Sequence, residues 1–224
     1  MKVTKEFILE TTTKALISFI PLAGGAVGSV LADVMAERKQ QRLNDFLSQL
    51  KDDLENQKDK LNNDSVQKDD FLDIFELTAK KVMEERNEVK RLAYKNILIN
   101  GITKPDTSFD DIEQCVRLVE NTTENNIFLL KVLSDPERHN ISLGEPVQRP
   151  TGNMSTTTLS RVLQKLLPSW QGGQILENLK DLEFLGLIQP ISNHFQDMVT
   201  ANGLSPVVNS LTLKGQRFVG YLQN

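Results

Sequence analysis

The uncharged run from Ala15 to Ala32 constrains this chain more than any other feature. It lies within ALISFIPLAGGAVGSVLADVMA, residues 15–36, with Lys14 before it, Asp33 at its end and Glu37-Arg38-Lys39 just beyond. Eighteen residues without charge approach the length of a transmembrane helix. The composition is wrong for an ordinary span. Pro21 removes an amide donor in mid-run, and Gly24, Gly25 and Gly28 each weaken a helix by about 1 kcal/mol relative to alanine. Gly24 and Gly28 form a small-xxx-small pair that lets helix backbones approach closely. Leu16, Phe19 and Ile20 on one side of the break, and Val27, Val30, Leu31 and Val34 on the other, keep helical spacing.

Three readings of this run stand side by side. It is a kinked helix or hairpin packed inside the protein's own bundle, a membrane-active segment sheltered in the fold and released on activation, or a permanent transmembrane anchor. The first two are favoured. A secretory signal is argued against by the late start, by acidic Glu6 and Glu10 upstream, and by the amphipathic helix that follows. Leu16, Phe19, Ile20, Pro21, Gly24, Gly25, Gly28, Val30 and Leu31 are the residues expected to form this packing or membrane-active segment.

The chain has 224 residues and a formal charge of -4, enough to bury a core and too acidic for bulk attraction to nucleic acid or anionic lipid. One cysteine, Cys115, excludes an intramolecular disulfide and fits a reducing compartment. It falls on the helical pattern Ile112, Cys115, Val116, Val119 and so reads as a small buried residue, not a nucleophile. His139 and His194 have no partner at metal-ligand spacing. No cofactor and no metal site is expected.

Beyond the apolar run, a helix over about 32–61 carries the stripe Val34, Met35, Leu43, Phe46, Leu47, Leu50 and Leu54. A second long helix starts at Asp69 or Asp70. It turns Phe71, Ile74, Phe75, Thr78, Val82, Leu92, Ala93 and Ile97 inward, and Gly101 and Pro105 end it. Glu84, Glu85 and Glu88 in its charged middle lack the Glu-x-x-His pairing of a carboxylate metal site. They read as intrahelical pairs, Glu84 with Lys80 or Lys81 and Glu88 with Arg91. Ser108 caps the next helix with Asp111 three residues on, and another helix begins near Thr123.

The stretch 141–154 holds Gly144, Pro146, Pro150 and Gly152 without periodicity and reads as a linker. Residues 1–140 then form a helical bundle and 155–224 a second domain. Twenty bases against twenty-five acids give about -5 before the boundary, and six against five give about +1 after it.

The C-terminal part has the pattern of a winged helix-turn-helix. Ser155 is expected to cap a helix carrying Leu159, Val162, Leu163 and Leu166. A turn over 168–173 leads to a second helix over 174–185, closed by Gly186 in the left-handed position. Leu187–Ile191 and Val207–Leu211 then read as the strands of a small β-hairpin wing, before a last helix capped by Thr212. The fold class expected is mainly α, a helical bundle followed by a winged helix. The second helix offers Gln174, Glu177, Asn178, Lys180, Asp181 and Glu183 outward, a poor partner for phosphate. Arg161, Lys165, Lys214 and Arg217 are the residues open to nucleic acid. A protein partner or self-association is favoured over DNA.

The early IPLAGGAVGSVLAD, the following ERKQQRLNDFLSQL, the charged KKVMEERNEVKRLAYKNILINGI and the terminal LTLKGQRFVGYL together resemble a family of bacterial proteins linked to abortive infection, Abi-alpha. The resemblance is one of pattern over most of the chain. It implies a cytoplasmic bacterial or prophage protein acting in phage defence, and it carries no site residue with it. The expectation is a non-enzymatic effector or regulator. Its N-terminal segment would perturb the inner membrane, placing the protein in the cytoplasm or at the membrane's periphery, and its winged helix would be the interaction module. The alternative is a DNA-binding transcriptional regulator.

Overall fold

The computed structural model describes residue 10 and residues 30–57, 68–104, 108–143, 155–191, 195–201, 204 and 207–223. Over these the chain is mainly helical. Leu16, Phe19, Ile20, Pro21, Gly24, Gly25 and Gly28 lie outside the described residues, while Val30 and Leu31 belong to the first turn of helix α1. The chain divides into two compact units, residues 1–120 with 221–224, and residues 121–220.

The first unit is built on α1 (Val30–Asn56), α2 (Lys68–Glu84), α3 (Glu88–Thr103) and α4 (Phe109–Asn121). Leu43, Phe46, Leu47, Leu50 and Leu54 repeat at three- and four-residue steps on α1 and are all buried, facing α2 and α3. Met35 was expected in this stripe but is 48% exposed. Among the described residues, Glu84 and Arg86 line the cleft across from it. From α2 come Ile74, Phe75, Ala79 and Val82, from α3 Ala93, Tyr94, Ile97 and Leu98, and from α4 Ile112, Cys115, Val116 and Val119. Lys95 reaches into this layer and meets Asp53 Oδ2 at 2.5 Å, an ion-pair distance without hydrogen-bond alignment.

The charged middle is not one helix. It breaks at 85–87, where Asn87 turns extended and its side chain accepts from the Lys90 amide at 3.0 Å. Asparagine competes for backbone bonds in a helix interior and is favoured at its start. The Asn87 amide donates to Glu85 Oε1 at 2.8 Å, and Arg91 Nη1 donates to the carbonyls of Glu85 at 3.3 Å and Arg86 at 2.7 Å. The break resets the phase of the following helix, which leaves Leu92 41% exposed instead of inward. The expected intrahelical pairs are replaced. Lys80 pairs with Glu76, Lys81 with Glu120, Lys39 with Glu84 and Lys90 with Glu85.

Burial alone would push the Glu85 carboxyl up, but hydrogen bonds from the Asn87 amide and from Lys90, with the lysine's charge, outweigh it and hold the group below its ordinary value. A depressed carboxyl stabilises the folded chain above its unfolded value and loses that contribution as pH falls through the folded one. In urea titrations, Glu85→Gln is therefore expected to be less stable than the wild type at neutral pH. That difference should vanish well below about pH 4.

Gly101 does not end its helix, since α3 continues to Thr103. It lets α4 approach, because a Cβ there would stand 2.5 Å from Ile112 Cδ1 and 2.9 Å from Ile112 Cγ1. Earlier on the same helix, Asn96 Nδ2 donates to the Leu222 carbonyl at 2.9 Å, and Asn100 Nδ2 to those of Tyr221 at 3.0 Å and Gln223 at 2.9 Å. A helix end leaves such carbonyls without partners, and two asparagines one turn apart satisfy them. Lys104 Nζ lies 4.9 Å from the centre of the Tyr221 ring.

The second unit opens with α5 (Glu124–Ser134) and α6 (Pro136–Ile141). Thr123 and Asn126 form a reciprocal cap on α5, and Asp135 caps α6 with Pro136 in its first turn. Strand β1 (Ser155–Thr158), helix α7 (Leu159–Leu166), helix α8 (Gly172–Phe184), strand β2 (Met198–Ala201) and helix α9 (Leu213–Leu222) follow. The unit therefore begins before α5, not at the proline- and glycine-bearing stretch 141–154, of which 144–154 lies outside the described residues. The reason is packing. Helix α5 lies on α8, and buried Asn126 donates to buried Asn178 Oδ1 at 2.9 Å. A side-chain amide so buried is costly to leave unpaired, which ties the two helices into one body.

Ser155 is not a helix cap. Ser-Thr-Thr-Thr suits extended backbone, since three of the four residues are β-branched. It forms β1, antiparallel to β2 with Thr156 opposite Thr200, and Thr158 caps α7 in its place. Leu159, Val162, Leu163 and Leu166 are buried as the spacing requires. Helix α8 closes with Gly186 at φ +69 and the Leu187 amide reaching back to the Leu182 carbonyl at 2.9 Å. The expected strands Leu187–Ile191 and Val207–Leu211 shrink to a single bridge, Ile188 opposite Leu211. Pro190 has no amide to donate, and residues 207–209 form a turn with Asn209 at φ 60.

Candidate functional site

In the second unit, the corner where α8 meets the start of α9 is fixed by one residue. Thr212 donates its amide to the Leu187 carbonyl at 3.1 Å and its hydroxyl to the Gly186 carbonyl at 2.8 Å, while that oxygen accepts the Gly215 amide at 3.0 Å. Lys214 Nζ adds a bond to the Leu185 carbonyl at 2.7 Å. A cation at a helix C-terminus is favoured by the aligned peptide dipoles, so this lysine closes α8. Of the four basic residues singled out from sequence, Lys214 is thus a structural cap. Arg161 and Lys165 are exposed one turn apart on α7, and Arg217 is exposed on α9.

The outward face of α8 differs from expectation, since Gln174 and Glu183 are half-buried and Asn178 is buried. Asn178 points into the core toward Asn126, with its own Nδ2 donating to the Gln174 carbonyl at 2.8 Å. Glu177, Lys180 and Asp181 remain outside, two acids to one base. Two large apolar side chains share the same corner. Phe184, the last residue of α8, is 90% exposed, and Leu213, the first of α9, is 82% exposed. Each immediately precedes a residue bonded across the seam, Leu185 in one strand of chain and Lys214 in the other.

Sequence reasoning passed over both. The available signal was phase. Phe184 falls off the stripe Ile175, Leu179, Leu182, and Leu213 off the stripe Phe218, Val219, Leu222. Elsewhere in this unit His139 is half-buried, with Nε2 2.9 Å from the Leu166 carbonyl and its ring edge-on to Phe128. Phe128 also leans on Trp170. Cys115 is buried, as its helical spacing implies. Among the described residues no group of three acidic, histidine or cysteine side chains could hold a metal ion, and no helix is long and apolar enough to cross a membrane.

Comparison with protein-family models, with curated proteins and with solved structures finds no match to this chain.

Proposed function

We propose that this protein is a non-enzymatic effector or regulator of bacterial phage defence, of the abortive-infection kind. Its second unit serves as a winged-helix interaction module that pairs with a second copy of the chain. The observation that carries the pairing is the exposure of Phe184 and Leu213 at one rigid corner. Exposed aromatic and aliphatic side chains ringed by charge are the usual make-up of an interface centre. Acidic Glu177 and Asp181 on α8, with basic Arg161 and Lys165 on α7, supply opposite charges that a two-fold pairing can match. The winged-helix reading is supported by the order α5, α6, β1, α7, α8, β2 and by β1 pairing with the later strand. The apolar segment Leu16–Leu31 is the part that would act at the inner membrane.

Sedimentation velocity on the full chain tests the pairing. The wild type should associate as its concentration rises, and Phe184→Ser with Leu213→Ser should remain monomeric. A wild type that stays monomeric, or a variant that associates equally, removes it. Dye release from liposomes tests the membrane role, with Val27→Asp expected to abolish release by the wild type. Equal release by both proteins defeats that half.

A DNA-binding regulator is the second reading, favoured by Arg161 and Lys165, exposed on one face of α7 and, among the described residues, engaged in no ion pair. A salt-dependent gel shift lost on reversing both to glutamate would support it.

A further inference from the structure

A second feature lies in the first unit. A cleft of about 450 Å³ is lined, among the described residues, by Met35, Arg38, Lys39, Arg42, Glu84 and Arg86. Positions 35, 38, 39 and 42 recur at three- and four-residue steps on one face of α1. Among the described residues, four cations therefore face a single carboxylate, in a chain whose formal charge is -4.

The cations are not spent on one another's neighbours. Arg42 Nη1 donates to the carbonyls of Met83 at 3.0 Å and Glu84 at 3.5 Å, which offsets the partial negative charge at the end of α2. Among the described residues its other donors make no hydrogen bond. Lys39 stands 3.9 Å from Glu84, whose side chain is 71% exposed, so that pair is weak. The side chains of Arg38 and Arg86 are exposed and, among the described residues, form no ion pair. The backbone that carries Arg86 is held in place by Arg91, Asn87 and Glu85, so the cleft's far wall is preorganised.

We infer that this cleft binds a phosphate-bearing anion, with Arg38 and Arg86 closing on its oxygens from the two walls and Arg42 and Lys39 completing the charge. Guanidinium forks match phosphate geometry in pairs, and their charge is never lost at physiological pH. Two sources present this chemistry, the headgroup of an anionic lipid and a soluble phosphate compound. The lipid is favoured by chain order, because Arg38 comes six residues after the uncharged run ends at Ala32, and half-exposed Met35 sits at the cleft.

The inference does not depend on the pairing of the second unit. Its test measures co-flotation of the full protein with phosphatidylglycerol vesicles, with phosphatidylcholine vesicles as reference, and separately titrates inorganic pyrophosphate by calorimetry. Binding to either anionic probe is expected, weakening with salt, and reduced roughly tenfold or more by Arg38→Glu with Arg86→Glu. The milder pair Arg38→Gln and Arg86→Gln should weaken it in the same sense with an unchanged circular dichroism spectrum. Vesicle binding alone assigns the lipid, and pyrophosphate binding alone assigns a soluble ligand. Val27→Asp should leave either intact, which separates this site from the apolar segment. No binding to either probe overturns the proposal. So does an equal loss on Arg117→Glu, an exposed reversal on α4, since net charge alone would then govern.

Discussion

Gly215→Ala is expected to be the most damaging glycine-to-alanine change among the described residues, costing about 3 kcal/mol or more. A Cβ at this position would run into the carbonyl oxygen of Leu187 and come within 2.9 Å of its carbonyl carbon. The obstacle is backbone, and it is held from both sides. The Leu187 carbonyl accepts the Thr212 amide, and the Leu187 amide is bonded to Leu182. No rotamer change relieves the collision, so either α9 lifts away from the end of α8 or the Thr212 cap breaks. The gain in helix propensity from glycine to alanine, about 1 kcal/mol, is too small to compensate. Trp170 is the only tryptophan and lies in the second unit, so its emission during urea unfolding reports the effect there. A midpoint unchanged from wild type would mean that α9 does not pack on Leu187 as described.

The second large effect is Gly101→Ala, and here the outcome is conditional on a partner. The obstacle is the Ile112 side chain, which is 1% exposed and cannot swing into solvent. The expected cost is about 2 kcal/mol after the propensity gain is set against overpacking. Because the wall is a side chain, trimming it should help. Ile112→Val removes the atom nearest the added methyl, so the double variant should be less destabilised than the sum of the two single changes. Circular dichroism melts of the four proteins in the cycle give this coupling directly. Strict additivity would show that the two residues do not touch.

These two glycines show what was legible in the sequence and what was not. The buried stripe from Leu43 to Leu54, the Ser108 cap, a helix start near Thr123 and the left-handed Gly186 were legible, because each depends on neighbours within one or two turns. Gly101 looked like a stop because glycine often ends helices. Its actual role is set by Ile112, which lies on the next helix. The same limit explains Asn178, read as surface by its polarity and buried through a partner 52 positions away. It also explains the unit boundary, which follows the α5–α8 packing and not the prolines and glycines of 141–154. The break at 85–87 was marked by Asn87, but a dense alternation of charge concealed it. The basic cleft was legible only as a mixed-charge helix face. Its meaning depends on Arg86, which tertiary folding brings to α1.

The asparagine grip on the end of α9 has a consequence for how the protein is made. Asn96 waits for a carbonyl 126 positions further along. At translation speeds of about 5–20 residues per second, that is roughly 6–25 s during which α1 to α4 wait beside the ribosome without their closing piece. Nascent chains are thus held open longer than local contacts alone would dictate. An arrest just short of residue 221 would leave the Asn96 amide without the Leu222 carbonyl, while Asn100 would keep only its bond to the Asn96 carbonyl.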